Sequence, residues 1–120
     1  MASRRNNYEL TPSMVDVMVA LSGAGRSALT AREVATTLHM QRIGGKVFAG
    51  LHGRGLISEG YPTWHRSGET IVKVRTWKLE WGNIPDPLWG RIMVDFCRRH
   101  DMDIKSIMTE EDRARCEVSA

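Results

Sequence analysis

Apolar positions along this chain change spacing several times, and each change marks an element. Met14, Val15, Met18 and Val19 recur at helical spacing, and the run closes at Leu21. Thr11-Pro12 stands directly before them. Thr11 can cap a helix, and Pro12 suits a first helical position, where its missing N–H would have no partner. Ser22-Gly23-Ala24-Gly25 stops the run, so a first helix is predicted over 12–22. Thr30-Ala31-Arg32-Glu33 has the capping-box arrangement, in which Thr and Glu reciprocally satisfy backbone donors. Ala31, Val34, Ala35 and Leu38 then form the stripe of a short second helix, 31–38, with Ala28-Leu29 before it as a brief strand. His39 to Arg42 reads as a turn. A third helix over 41–53 places Val47, Phe48 and Leu51 inward, and Gly53 and Gly55 end it. Gly44-Gly45 oppose that helix by about 1 kcal/mol each relative to alanine, so context rather than propensity predicts it.

The period then shortens. Residues 56–61 and 70–80 read as strands, the second rich in β-branched and aromatic residues from Ile71 to Leu79. They form a hairpin whose long tip, 62–68, carries Trp64, His65 and Arg66 and turns at Ser67-Gly68. Trp81 to Pro87 is a linker, because Pro85 and Pro87 forbid regular helix. Leu88, Ile92 and Phe96, with Met93, mark a fourth helix over 87–100. Thr109 before Glu110, Glu111 and Asp112 starts a short, fraying helix to about 116. The expected fold is α+β and mostly helical. Residues 1–10 are expected to be a flexible arm, 11–82 a domain, and 83–120 a linker and helical extension.

The length of 120 residues suits one core, and 42% apolar with 26% charged residues excludes global disorder. Cys97 and Cys116 are too few for a disulfide scaffold and read as free thiols of a reducing cytosol. No apolar run reaches the roughly 20 residues of a membrane span. The basic start, Met1 to Asn7, lacks the apolar stretch of a signal peptide. A cytoplasmic protein is expected. Charge is uneven. Residues 1–82 carry 11 basic and 6 acidic side chains, whereas 83–120 carry 6 and 8. Within 39–78 the balance is seven basic residues against Glu59 and Glu69, together with His39, His52 and His65. Such a localised patch favours a polyanion partner.

The order helix, short strand, helix, helix, hairpin resembles the winged helix-turn-helix family, over roughly residues 11–80. Thr30-Ala31-Arg32-Glu33-Val34-Ala35 with Leu38 looks like its positioning helix. Val47-Phe48, Leu51 and Gly55-Leu56-Ile57 look like the end of a recognition helix running into the wing, as in bacterial and phage regulators. Gly44-Gly45 departs from the pattern, which there has Ser, Thr or a helix former. The resemblance implies a three-helix core with a β-hairpin wing and one or two extra C-terminal helices. It also implies sequence-specific binding of double-stranded DNA by a small transcriptional regulator. The recognition helix would present Gln41, Arg42 and Lys46 outward. Arg42 and Gln41 are the candidate base readers, and Lys46 is a phosphate contact. Gly44 and Gly45 would let the backbone approach DNA. Arg54, the wing residues His65 and Arg66, and Lys73 and Arg75 on the return strand would extend the contact to phosphates or the minor groove.

Helices after the wing commonly mediate dimerisation in such regulators. Leu88, Trp89, Ile92, Met93 and Phe96 fit that role, and they equally fit packing against the first helix of a monomer. Trp77 and Trp81 are expected to close the core beneath the wing. Trp64 can stack on a base, anchor a partner or fold back. Cys97 and His100 share a helix face, but no second ligand pair follows, so no metal is expected. No nucleophile motif or phosphate loop is present either, and neither enzyme activity nor a cofactor is expected. The alternative function is a winged-helix adaptor that binds protein through Trp64 and the fourth helix.

Overall fold

In the computed structural model, which describes residues 9–25 and 27–119, the chain forms an α+β fold. Its helices and strands run in the order α1 (Pro12–Ser22), α2 (Ala31–Thr37), α3 (Gly45–Gly53), β1 (Ile57–Glu59), β2 (Thr63–Ser67), β3 (Thr70–Val74), β4 (Trp77–Leu79), α4 (Asp86–Arg99) and α5 (Glu110–Arg115). Single 3-10 turns lie at Trp81–Asn83 and Ile104–Ser106. Among the described residues no helix is long and apolar enough to cross a membrane. Most of the expected arm, residues 1–8, lies outside the described residues. At its end Leu10 packs on the core and the Glu9 carbonyl accepts from Arg54.

Helix α1 is apolar on most of its circumference, and that sets the architecture. Met14, Val15, Val17, Met18, Ala20 and Leu21 are all buried. A helix of this kind must be covered on several sides. Here α2, α3 and β4 cover part of it, and α4 covers the rest. The one charged residue of α1, Asp16, is satisfied where it meets α4. Its carboxylate accepts from Arg99 Nη2 at 2.8 Å and lies 3.1 Å from His100 Nε2. Arg99 also reaches Asp95 at 2.9 Å, and these carboxylates raise its pKa further.

The helix ends follow local chemistry. Thr11 accepts from the Met14 amide at 3.2 Å, and Thr109 accepts from that of Asp112 at 3.1 Å. Both halves of the capping box form, with Thr30 N–H to Glu33 at 2.8 Å and Glu33 N–H to Thr30 at 3.1 Å. Gly55, at φ +75°, closes α3. Its amide donates to His52 O, and the Leu56 amide donates back to Leu51 O at 3.1 Å. Leu51 and Gly55-Leu56 are therefore a helix stop, with both leucines in the core. His39, Asp101 and Glu117 make the same left-handed closure without glycine.

Two expectations about secondary structure change. First, α3 begins at Gly45 with Gly44 as its N-cap, not at 41. Gln41 and Arg42 thus precede the helix. Two glycines without side chains to pack or cap favour a late start. Second, the long hairpin is two short ladders. Strand β1 pairs with β4 and β2 with β3, both antiparallel, and Leu29 adds a bridge to Trp77. Between the ladders Thr76 is buried and donates to the Tyr61 carbonyl at 2.7 Å. A Cβ on Gly60 would lie 2.5 Å from that of Ala28 and 2.9 Å from Thr76 Oγ1. Pro62 has no donor for a ladder. Trp64, His65 and Arg66 consequently stand on a strand and not in a loop tip.

The C-terminal segment shares the core of the first three helices. Leu88, Trp89, Ile92 and Met93 are buried, and Phe96 packs half-buried beside them. This face lies against α1, so it is not an open seam for a second copy. Trp81 also departs from expectation. It is 48% exposed and meets the buried Trp89 edge-on at 4.9 Å, whereas Trp77 does close the core. Cys116 is buried instead of sitting on a frayed end. It packs where α4 has Gly90, since a Cβ there would run into the Cys116 carbonyl oxygen. Burial pushes both the Cys97 and Cys116 thiol pKa values up.

Candidate nucleic-acid interface

The basic side chains gather around α3 and the β2–β3 ribbon. Helix α3 turns Phe48 and Leu51 inward, because these apolar positions fall one turn apart. Its opposite side, with Gly45, Lys46, Ala49 and His52, is exposed. Phe48 stacks on Trp77 at 5.7 Å, and His52 meets the same indole edge-on at 5.6 Å. Trp77 belongs to β4, so this aromatic contact fixes α3 against the base of the ribbon. The result is an open groove lined by Arg32, Gly45, His52, Val74 and Arg75, with Phe48 and Trp77 at its floor.

The start of α3 is open. Gly44 offers no side-chain cap, and a Cβ at either Gly44 or Gly45 would meet nothing within 4 Å. The Val47 amide bonds back to the Gly44 carbonyl at 3.1 Å, while Gly45 and Lys46 ahead of it are exposed, where the positive end of the helix dipole attracts anions. Arg42 before that turn and Lys46 within it are both exposed, and neither forms an ion pair among the described residues.

The other expected residues divide. Lys73 on β3 and Arg66 on β2 are exposed. Arg75 follows β3 and stands 4.0 Å from Glu59, an open pair that solvent largely screens. His65 lines a second cleft, between the ribbon and the start of α2, with Thr30, Arg32, Glu33 and Trp64. Gln41 is exposed but four residues ahead of α3. Arg54 does not join this group. It is the C-cap of α3, and its guanidinium turns back onto the Gly50 carbonyl at 2.9 Å and toward Glu9.

Two residues here were not among those expected from the sequence. Arg32 borders both clefts, and His52 lines the α3 groove. Arg32 could have been found in the capping box itself, as the outward position beside Glu33. For His52 the signal is weaker, because only the docking of β4 brings it to the groove. Among the described residues, no three His, Cys, Asp or Glu side chains group as metal ligands. Comparison with protein-family models finds no match, and no curated protein and no solved structure matches the chain significantly.

Proposed function

We propose that the chain is a winged helix-turn-helix protein that binds double-stranded DNA, as a small transcriptional regulator. In this reading α2 and α3 are the helix-turn-helix, and the ribbon is the wing. The observation that carries it is the open, uncapped start of α3 between Arg42 and Lys46, sharing one groove with Arg32 and Arg75. Phosphate attraction by side-chain cations and first-turn amides would hold the backbone of the duplex. With α3 entering the major groove by its N-terminus, Arg42 and Lys46 come nearest the base edges. Arg42 can make a bidentate contact to guanine. Gln41, ahead of the helix, is left to the flank, and Arg54 serves the helix end instead of DNA.

The test is fluorescence anisotropy of a labelled random-sequence duplex at two salt concentrations. Binding that weakens about tenfold or more over a fourfold salt rise supports the reading. Absence of binding at low salt refutes it and leaves the protein-adaptor alternative.

A further inference from the structure

The β2–β3 ribbon exposes both faces, and the two differ. In an antiparallel pair, directly opposed residues share a face, as do residues two apart along one strand. The register Trp64↔Lys73 and Arg66↔Ile71 therefore gathers these four side chains on one side. Trp64 keeps 64% of its surface in solvent and Ile71 keeps 58%. Arg66 and Lys73 are exposed, with no ion pair among the described residues. These four side chains are an open indole, an open aliphatic group and two cations, and Trp64 also borders the cleft that holds Arg32 and Glu33. The opposite face is Thr63, His65, Ser67, Thr70, Val72 and Val74, without Lys or Arg.

A planar ring beside two cations complements a polymer that alternates planar rings with anionic phosphates. Duplex DNA offers phosphates but hides its rings in the stack. An unpaired strand offers both. We propose that this face takes up an unpaired DNA strand, with a base stacked on Trp64 and flanking phosphates at Arg66 and Lys73. The inference rests on the duplex reading of the adjoining α3 groove and deepens it. The preferred ligand is a duplex that continues into a single strand, with the duplex in the groove and the strand on the ribbon.

The experiment measures anisotropy for a blunt duplex, the single strand alone, and the duplex with an overhang of about ten nucleotides, a length within the usual span of stacking surfaces. Unsubstituted protein is compared with Trp64→Ala and Trp64→Phe. The overhang is expected to raise affinity about tenfold over the blunt duplex. Trp64→Ala should remove that margin and Trp64→Phe should keep most of it, with blunt-duplex affinity unchanged in both. Every side chain of this face is exposed, so thermal melting should show the same midpoint for both variants. Equal affinity for overhang and blunt duplex overturns the inference while leaving duplex binding intact. A margin that survives Trp64→Ala overturns it too. So does a Trp64-dependent self-association in sedimentation without any overhang effect, which would assign the face to protein contact. Failure of the blunt duplex to bind refutes the duplex reading instead, and Trp64-dependent binding of the single strand alone would then still support the ribbon face.

Discussion

Replacing Arg42 and Lys46 together by alanine tests the α3 groove most directly. Four exposed cations border the groove: Arg32, Arg42, Lys46 and Arg75. Each phosphate neutralised contributes about −0.9 to the slope of log affinity against log salt, so full engagement of a duplex predicts a slope of roughly −3.6. The double substitution should bring it to roughly −1.8 and weaken binding at 0.1 M salt by about 60-fold, or ~2.5 kcal/mol. Neither side chain has a hydrogen bond or an ion pair among the described residues, so stability should stay within about 0.5 kcal/mol. Arg54→Ala is the matched control. It removes one cation of the same segment, but that guanidinium caps the end of α3. Its salt slope should equal that of the unsubstituted protein. Anisotropy titrations at four salt concentrations, with thermal melts alongside, provide both quantities. Equal slopes for the double variant and the unsubstituted protein, both folded, would refute the placement of DNA at the start of α3.

Two further predictions concern the C-terminal segment. Gly90→Ala sets a Cβ against the Cys116 carbonyl and 2.9 Å from Val118 Cγ2. Backbone cannot yield as a flexible side chain does, so the variant should lose about 1–3 kcal/mol, and carboxypeptidase should then trim residues 116–119 faster. An unchanged thermal midpoint would show that this packing is loose. The buried thiols of Cys97 and Cys116 predict resistance to disulfide-exchange reagents in the native protein, with both reacting in denaturant. Their folded pKa values lie above the ordinary value of 9.0, so the native state keeps protons that the unfolded chain releases. Their stabilisation is complete below that value and declines as pH rises past it. Denaturant midpoints from pH 7 to 10 measure the decline, and Cys97→Ala should flatten it; an unaltered slope would disprove the assignment.

Dimerisation through Leu88, Ile92 and Met93 no longer has a surface to use. Nothing in the spacing of these residues could separate an intermolecular seam from an intramolecular one. An amphipathic helix states how wide its apolar face is, but not which face will cover it. Asp16 is the local clue to the answer. It is a single carboxylate on a nearly all-apolar helix, and Arg99 and His100 at the end of α4 supply its partners.

Features that depend on neighbours along the chain can be read from the residues directly. Thr11-Pro12, Thr30 with Glu33, and Thr109 satisfy backbone donors within three residues, so those helix starts were legible. Gly55 likewise closes α3 within its own turn. The basic character of 39–78 was also legible, because charge is additive and needs no fold. Features that depend on contacts between distant residues emerge only when the chain is folded. The start of α3 at Gly45 escaped propensity because glycine has no side chain to cap or pack. The division of the hairpin follows from Ala28 and Thr76 crowding Gly60. Trp77 rather than Trp81 entered the core because β4, bridged to Leu29, carries it between α1 and α3. The same docking of β4 sets Arg75 and His52 on one groove with Arg32, three residues that no spacing in the chain relates.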